Sequence, residues 1–328
     1  MDFGQVLTDG LRAALGINAA AFALAAIGLN VQYGFTGLLN FGQVGFLLVG
    51  AYGTAITVDR GGPLWLALLV GILAAIGLAL LLGVPTLRLR ADYLAIVTIS
   101  AAEILRITVA SRQLEGFTGG AFGIGGFAEA FYELNPYPTG RYGIGDVSFN
   151  HRTMWLLTVA WTCVIVGSLL VRLLVRSPYG RVLRSIREDE DAARSLGKNA
   201  FGTKLQSLMV GGVFGALGGI IIALDASFTN ADYWKAPVTF FAYTVLILGG
   251  VASVFGPVIG AMLFWFVYTG LDTLLRQAIS EGVFGDLLTT TDTGPMRVAF
   301  VGLALMALMI FRPQGILGNR EEALVDER

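Results

Sequence analysis

Five neutral polar side chains, Asn30, Gln32, Thr36, Asn40 and Gln43, crowd into a stretch that otherwise reads as apolar. An amide or hydroxyl left unpaired in hydrocarbon costs free energy, so each must find a partner inside the protein or line a wet passage. Thr36, Asn40 and Gln43 are the candidates for such a passage, where neutral amides and hydroxyls suit brief contact with a zwitterionic solute. The competing reading is hydrogen bonding between helices that holds the bundle together, and residue type alone leaves both open. Glu103 and Arg106 stand three apart in another apolar stretch and can meet on one helix face. They read as a structural ion pair, or more sharply as a site at Glu103 for an ammonium group.

Other chemistries lack their residues. No Gly-x-x-x-x-Gly-Lys-Ser/Thr phosphate loop occurs, so any ATP must be hydrolysed by another chain. With Cys163 and His151 each alone of its kind, no His/Cys metal site can form, and no carboxylates gather inside an apolar segment. Cys163 reads as an inert core thiol and His151 as a loop residue near a membrane end. The net charge of −1 gives no pull toward nucleic acid.

The elements that position these residues follow from composition. Of 328 residues, 55% are apolar and only 14% charged, with mean hydropathy +0.72, which is membrane composition rather than that of a soluble enzyme. Asp2 and Asp9 precede Arg12, unlike the basic start of a secretory signal, so the first apolar segment is expected to remain in the mature chain. From Ala13 to Val58 no charge occurs for 46 positions. That is about 69 Å as helix, more than two hydrocarbon thicknesses, so the chain must break inside it, at Gln32 to Gly37. Ala236 to Leu271 is likewise too long for one span and short for two, and Gly249 to Pro257 would separate two broken pieces. Further spans read as Pro63 to Val84, Tyr93 to Ala110, Thr153 to Val175, Leu205 to Leu224 and Met296 to Phe311. The expectation is an all-α polytopic bundle forming one transmembrane domain over residues 1–328, with eight to ten crossings. Gly211, Gly215 and Gly219, and Gly256 and Gly260, have the spacing that lets membrane helices approach closely.

Eight of the 22 basic residues lie between Arg172 and Lys204. The positive-inside rule makes this loop cytoplasmic, and the same parity puts Arg88, Arg90 and the tail with Arg312, Arg320 and Arg328 inside. Residues 111–152 and the segment Asp225 to Pro237 then lie outside, while the side of the N-terminus stays ambiguous. Within the basic loop Ser177 can cap a helix that has Pro178 at its first position and Val182, Leu183 and Ile186 on one face. A second short helix can start near Asp189 and stop at Gly197. Either the loop is a solvated linker that sets topology, or it is a compact helix pair beneath the membrane; small alanines amid mixed charge favour the pair.

Asp191-Ala192-Ala193-x-x-x-Gly197 resembles the Glu-Ala-Ala-x-x-x-Gly loop of bacterial ABC importer permeases, with Asp in place of Glu. Gly28 to Phe46, Arg88 to Thr98, Ala102 to Arg106, Phe117 to Gly120 and Arg312 to Leu317 are, in order, similar to the branched-chain amino acid permease family, in its LivM branch. The resemblance spans essentially the whole chain. It implies a permease subunit of an importer for leucine, isoleucine and valine in the bacterial inner membrane, working by alternating access. The implied partners are a LivH-like homologous permease, two cytoplasmic LivG-like and LivF-like ATPases that hold the ATP and magnesium, and an extracytoplasmic solute-binding protein. The chain itself would bind no cofactor. Arg187, Asp191, Ala192, Ala193 and Gly197 would couple to the ATPases, and Asp225, Thr229, Asn230 and Asp232 would meet the binding protein. Tyr233 and Trp234 fit that role or headgroup anchoring equally. The family includes urea and amide transporters, so the same machine with another small neutral cargo is the alternative. An ion-coupled carrier would need ionisable groups at the midplane, where only Glu103 and Arg106 offer any.

Overall fold

The computed structural model describes residues 2–88, 91–281, 292–311 and 314–318. The calls on Arg90, Arg312, Arg320 and Arg328 lie outside the described residues. The chain runs α1 (Phe3–Ala14), α2 (Ile17–Leu29), a π-helical turn (Asn30–Gly34), α3 (Gln43–Asp59), α4 (Leu64–Thr86), α5 (Ala91–Ala110), the short α6 (Glu115–Thr118), β1 (Ile124–Gly125), α7 (Glu129–Glu133), β2 (Arg141–Ile144), β3 (Val147–Asn150) and α8 (His151–Arg176). It continues through α9 (Pro178–Glu188), α10 (Glu190–Ser195), α11 (Ala200–Ala226), β4 (Phe228–Thr229), α12 (Pro237–Gly249), α13 (Gly256–Ser280) and α14 (Thr293–Phe311). Among the described residues, six helical stretches have the length and composition to cross a bilayer, and α3, α12 and α14 add shorter or flanking apolar helices.

α2 is the axis of the bundle. It is apolar all round and alanine-rich, and nearly every residue from Ile17 to Leu29 is buried, which is what a helix surrounded on all sides requires. Its neighbours come close because α11 offers glycines: a Cβ on Gly211 would sit 2.5 Å from the Gly28 carbonyl oxygen, and one on Gly219 2.0 Å from that of Leu47. At the rim, Leu69, Leu73 and Leu81 of α4, Ile96, Ile104 and Ile107 of α5, and Ile165, Leu169 and Leu173 of α8 are exposed. Such a continuous apolar belt suits hydrocarbon rather than water.

Both long windows break where the sequence requires. The first passes through the π-helical turn Asn30–Gly34, stays helical to Thr36, breaks from Gly37 at φ +74° and resumes at Gln43. The second stops at Gly249, turns through Gly250 with φ +114°, and restarts at Gly256 with Pro257 in the first turn. The last carbonyls of α12 would be orphaned by that stop. Ile316 and Leu317 donate their N–H groups to Leu248 and Gly249 at 3.1 and 2.9 Å, so the chain's final described segment caps α12.

β1 pairs with β4, Ile124 opposite Thr229, which brings residues 111–150 and 227–235 to one end of the bundle. α1 lies at that end too: Arg12 donates to the Asp146 carbonyl at 2.8 Å, and the Trp161 indole to that of Leu15 at 2.9 Å. The side of the N-terminus, which the charge pattern leaves ambiguous, is therefore that of residues 111–152. The α9–α10 pair occupies the opposite end.

Candidate coupling and translocation site

The pair α9–α10 forms as its sequence dictates, with one difference. Ser177 stands at the cap of α9 with Pro178 after it, but its hydroxyl turns back to the Leu174 carbonyl at 2.6 Å rather than to the new helix. Leu183 and Ile186 are buried; Ile186 packs with Ala193 and Ala200, with Val182 against them. Asp189 caps α10 by accepting from the Ala192 N–H at 2.9 Å, and Gly197 closes it at φ +77°. Tyr179 donates to the Thr203 carbonyl at 3.3 Å, and burial pushes its phenol up to about 12. Ala193 thus faces inward. The outward surface of the pair carries Asp191, Ala192 and Leu196.

Arg187 points the other way, into the bundle. Its Nη1 donates to the carbonyl of Gly34 at 2.5 Å, and a Cβ on Gly37 would lie 3.4 Å from its Cγ. Gly34 is itself forced: a Cβ there would stand 2.0 Å from the Asn30 side-chain oxygen and 2.8 Å from the Ala252 nitrogen. Asn30 uses both ends of its amide, donating to the Ser253 carbonyl at 2.7 Å and accepting from the Ala252 N–H at 2.9 Å. One connected set of hydrogen bonds and contacts therefore joins α9 to the π turn and to the interruption between α12 and α13.

Next to it lies the amide cluster. The Asn40 amide donates to Gln32 Oε1 at 2.8 Å and Gln43 Oε1 at 3.2 Å and accepts from the Gly42 N–H at 2.9 Å. Gln32 donates to the Leu208 carbonyl at 3.2 Å, and Gln43 to those of Ala25 and Gly211 at 3.3 and 3.2 Å. Thr36 donates to the Val31 carbonyl and shares a 2.8 Å bond with Ser207. All five side chains are at most 1% exposed, so in this conformation Thr36, Asn40 and Gln43 present no polar atom to an open passage. Ser207, Thr98, Thr239 and Tyr243, which sequence reasoning did not single out, complete the network: Thr98 and Thr239 accept from the Phe41 and Val44 N–H groups, and Tyr243 donates to the Asn40 carbonyl. No spacing signal marks them, because their partners arrive from distant helices.

At the far end Glu103 and Arg106 form the ion pair, with contacts of 2.6 and 2.9 Å, and Arg106 lies 3.7 Å from Asp232. Lys235, at 3.0 Å, holds the Asp232 carboxyl below the usual carboxylate range. Asp225 and Asp232 are exposed there. Thr229 is fully buried and accepts from the Trp234 indole at 3.0 Å, while Asn230 caps the following turn. Trp234, at 2% exposure, packs inside and anchors nothing in the headgroups; Tyr233 remains exposed.

A multi-pass helical membrane protein with two interrupted helical windows and a short helix pair strapped to one of them belongs to the transport permease class. Residues 13–309 match the family described as "Branched-chain amino acid transport system / permease component", and the chain belongs to that family. It is 30% identical to the high-affinity branched-chain amino acid transport system permease protein LivM of Escherichia coli over 90% of this chain and 67% of that one. It is 27% identical to the permease protein BraD of Pseudomonas aeruginosa over 97% and 96% of the two chains, and 24% identical to LivH of Escherichia coli over 92% of each.

Proposed function

We propose that this chain is one of two homologous permease subunits of an ATP-driven importer for leucine, isoleucine and valine. Similarity to both LivM and LivH supports a LivH-like sister subunit, with the pathway formed between the two. Two LivG-like and LivF-like ATPases, holding ATP and magnesium, dock on the outward surface of α9–α10 at Asp191, Ala192, Leu196 and Gly197, which places that end in the cytoplasm. An extracytoplasmic binding protein docks at the opposite end, around Asp225 and Asp232.

The observation that carries the mechanism is the hydrogen bond from Arg187 to the Gly34 carbonyl. A π turn leaves the regular i→i−4 ladder, and here the guanidinium satisfies the Gly34 carbonyl. Displacement of α9 by closing ATPases therefore moves the π turn, and through Asn30 it moves the Ala252–Ser253 interruption as well. The amide cluster around Asn40 then keeps α2, α3, α11 and α12 in register during that motion, and Gln43 and Thr36 act there rather than as a selectivity lining. Replacing Arg187 by Gln removes a charge-assisted bond worth about 1.5–3 kcal/mol. In vesicles carrying the complete transporter, the expected result is preserved ATP hydrolysis with leucine uptake per ATP lowered about tenfold. Unchanged uptake per ATP in that variant would refute this coupling route.

A further inference from the structure

Two cavities at the end bearing α1 have complementary character and share their walls. One, of about 610 Å³, is almost wholly apolar and is lined by Leu11 of α1 and the Leu15 that follows it, Tyr142, Val147 and Phe149 of the β2–β3 hairpin, and Trp161 with its neighbours on α8. The other, of about 690 Å³, is lined by Arg12 and Arg141 together with Asp2, Asp9 and Asp146. Consecutive residues divide between them: Leu11 and Arg12, Tyr142 and Arg141, Val147 and Ser148. The hairpin register explains this, since Tyr142 pairs with Phe149 on one face while Arg141 and Ser148 fall on the other.

The occupant that fits adjoining apolar and charged compartments is an amphiphile, and three observations say it comes from the bilayer. Trp161 lies about 22 Å along α8 from Arg176, within one hydrocarbon thickness of the α9–α10 end. Below Trp161 the same side of α8 continues as the exposed Ile165 and Leu169, so the apolar cavity runs into the lipid-facing belt. α1 and its C-cap expose a row at i, i+4 spacing, Phe3, Leu7, Leu11 and Leu15, as helices lying at a membrane interface do. We infer that these cavities bind a glycerophospholipid of the outer leaflet with an ammonium headgroup, of the phosphatidylethanolamine kind. One acyl chain fills the apolar cavity. The phosphate meets Arg12 and Arg141, and the ammonium meets the carboxylates. A purely anionic headgroup would face three carboxylates against two guanidinium groups, which favours the zwitterion. Arg12 keeps its Nη2 bond to the hairpin carbonyl of Asp146, so lipid bound there tightens α1 against the hairpin.

The test uses the full chain in nanodiscs of phosphatidylglycerol containing rising fractions of phosphatidylethanolamine brominated on its acyl chain. Bromine quenches nearby indole fluorescence, and subtracting the Trp161→Phe signal isolates Trp161. Saturable quenching at a low fraction of the ethanolamine lipid is expected, with brominated phosphatidylglycerol much less effective. Arg12→Gln with Arg141→Gln should raise the half-saturating fraction about tenfold, since two charge-assisted contacts are lost. Leu11→Asp, on an exposed helix, should do the same from the apolar side. Quenching that rises linearly with bulk lipid, is equal for both headgroups and ignores these variants would overturn the site and leave ordinary boundary lipid.

Discussion

Gln43 is a polar residue in an apolar window that is fully buried and hydrogen-bonded between helices. It accepts from Asn40 and donates to two backbone carbonyls on different helices. Gln43→Leu would leave those carbonyls and the Asn40 amide short of partners, at roughly 0.6–2 kcal/mol per lost bond in a membrane setting. The variant should therefore melt several degrees lower in detergent while the orientation of its helices is kept, as read by a thermal shift of tryptophan emission. Asp232 makes a prediction in pH. Its folded-state pKa is depressed by Lys235, so whatever its carboxylate contributes is present above the unfolded value and is lost only as pH falls through the depressed one. Binding-protein docking that uses this carboxylate should stay flat from about pH 7 to about pH 5. Lys235→Met lets the carboxylate protonate nearer the ordinary aspartate value, so docking by that variant should begin to fall only below about pH 5, at a higher pH than in the parent chain. At this scale the sequence exposes residue type without direction. It could place Asn40 and Gln43 in hydrocarbon but not aim them, and it could not show that Thr229, Ala193 and Trp234 point inward, because burial at those positions is set by contacts made across the fold.

At the scale of elements, sequence periodicity and uncharged length were enough to locate the spans, both interruptions and the α9–α10 pair. Helix length against bilayer thickness is a local sum, so it needs no tertiary information. The π turn is different, because only the fit of Gly34 against Asn30 and Ala252 requires it. So is the role of Arg187, one of many arginines in its loop until the fold brings Gly34 to it. Close approach of α11 to α3 predicts that Gly219→Val is strongly destabilising, since even a Cβ would meet the Leu47 carbonyl at 2.0 Å. Overpacking of this kind typically costs about 1–3 kcal/mol or more. Gly77, beside which nothing stands within 4 Å, should accept the same change with little loss of yield or melting temperature.

At the scale of the whole molecule, the bundle is organised around an almost wholly buried axis, α2, whose one irregular turn is tied to the surface proposed to meet the ATPases. A subunit built this way converts motion at one end into rearrangement of its interior without an ionisable relay, which agrees with the scarcity of charge in its spans. The central claim is that this family member moves branched-chain amino acids at the expense of ATP held by partner chains. The direct test is uptake of labelled leucine into vesicles containing this chain with its sister permease, ATPases and binding protein, internal ATP supplied and ion gradients collapsed. Saturable uptake that requires ATP, is competed by isoleucine and valine, and falls when Gly197 is replaced by a bulky residue is the predicted result. Uptake that ignores ATP and follows an ion gradient would contradict the account.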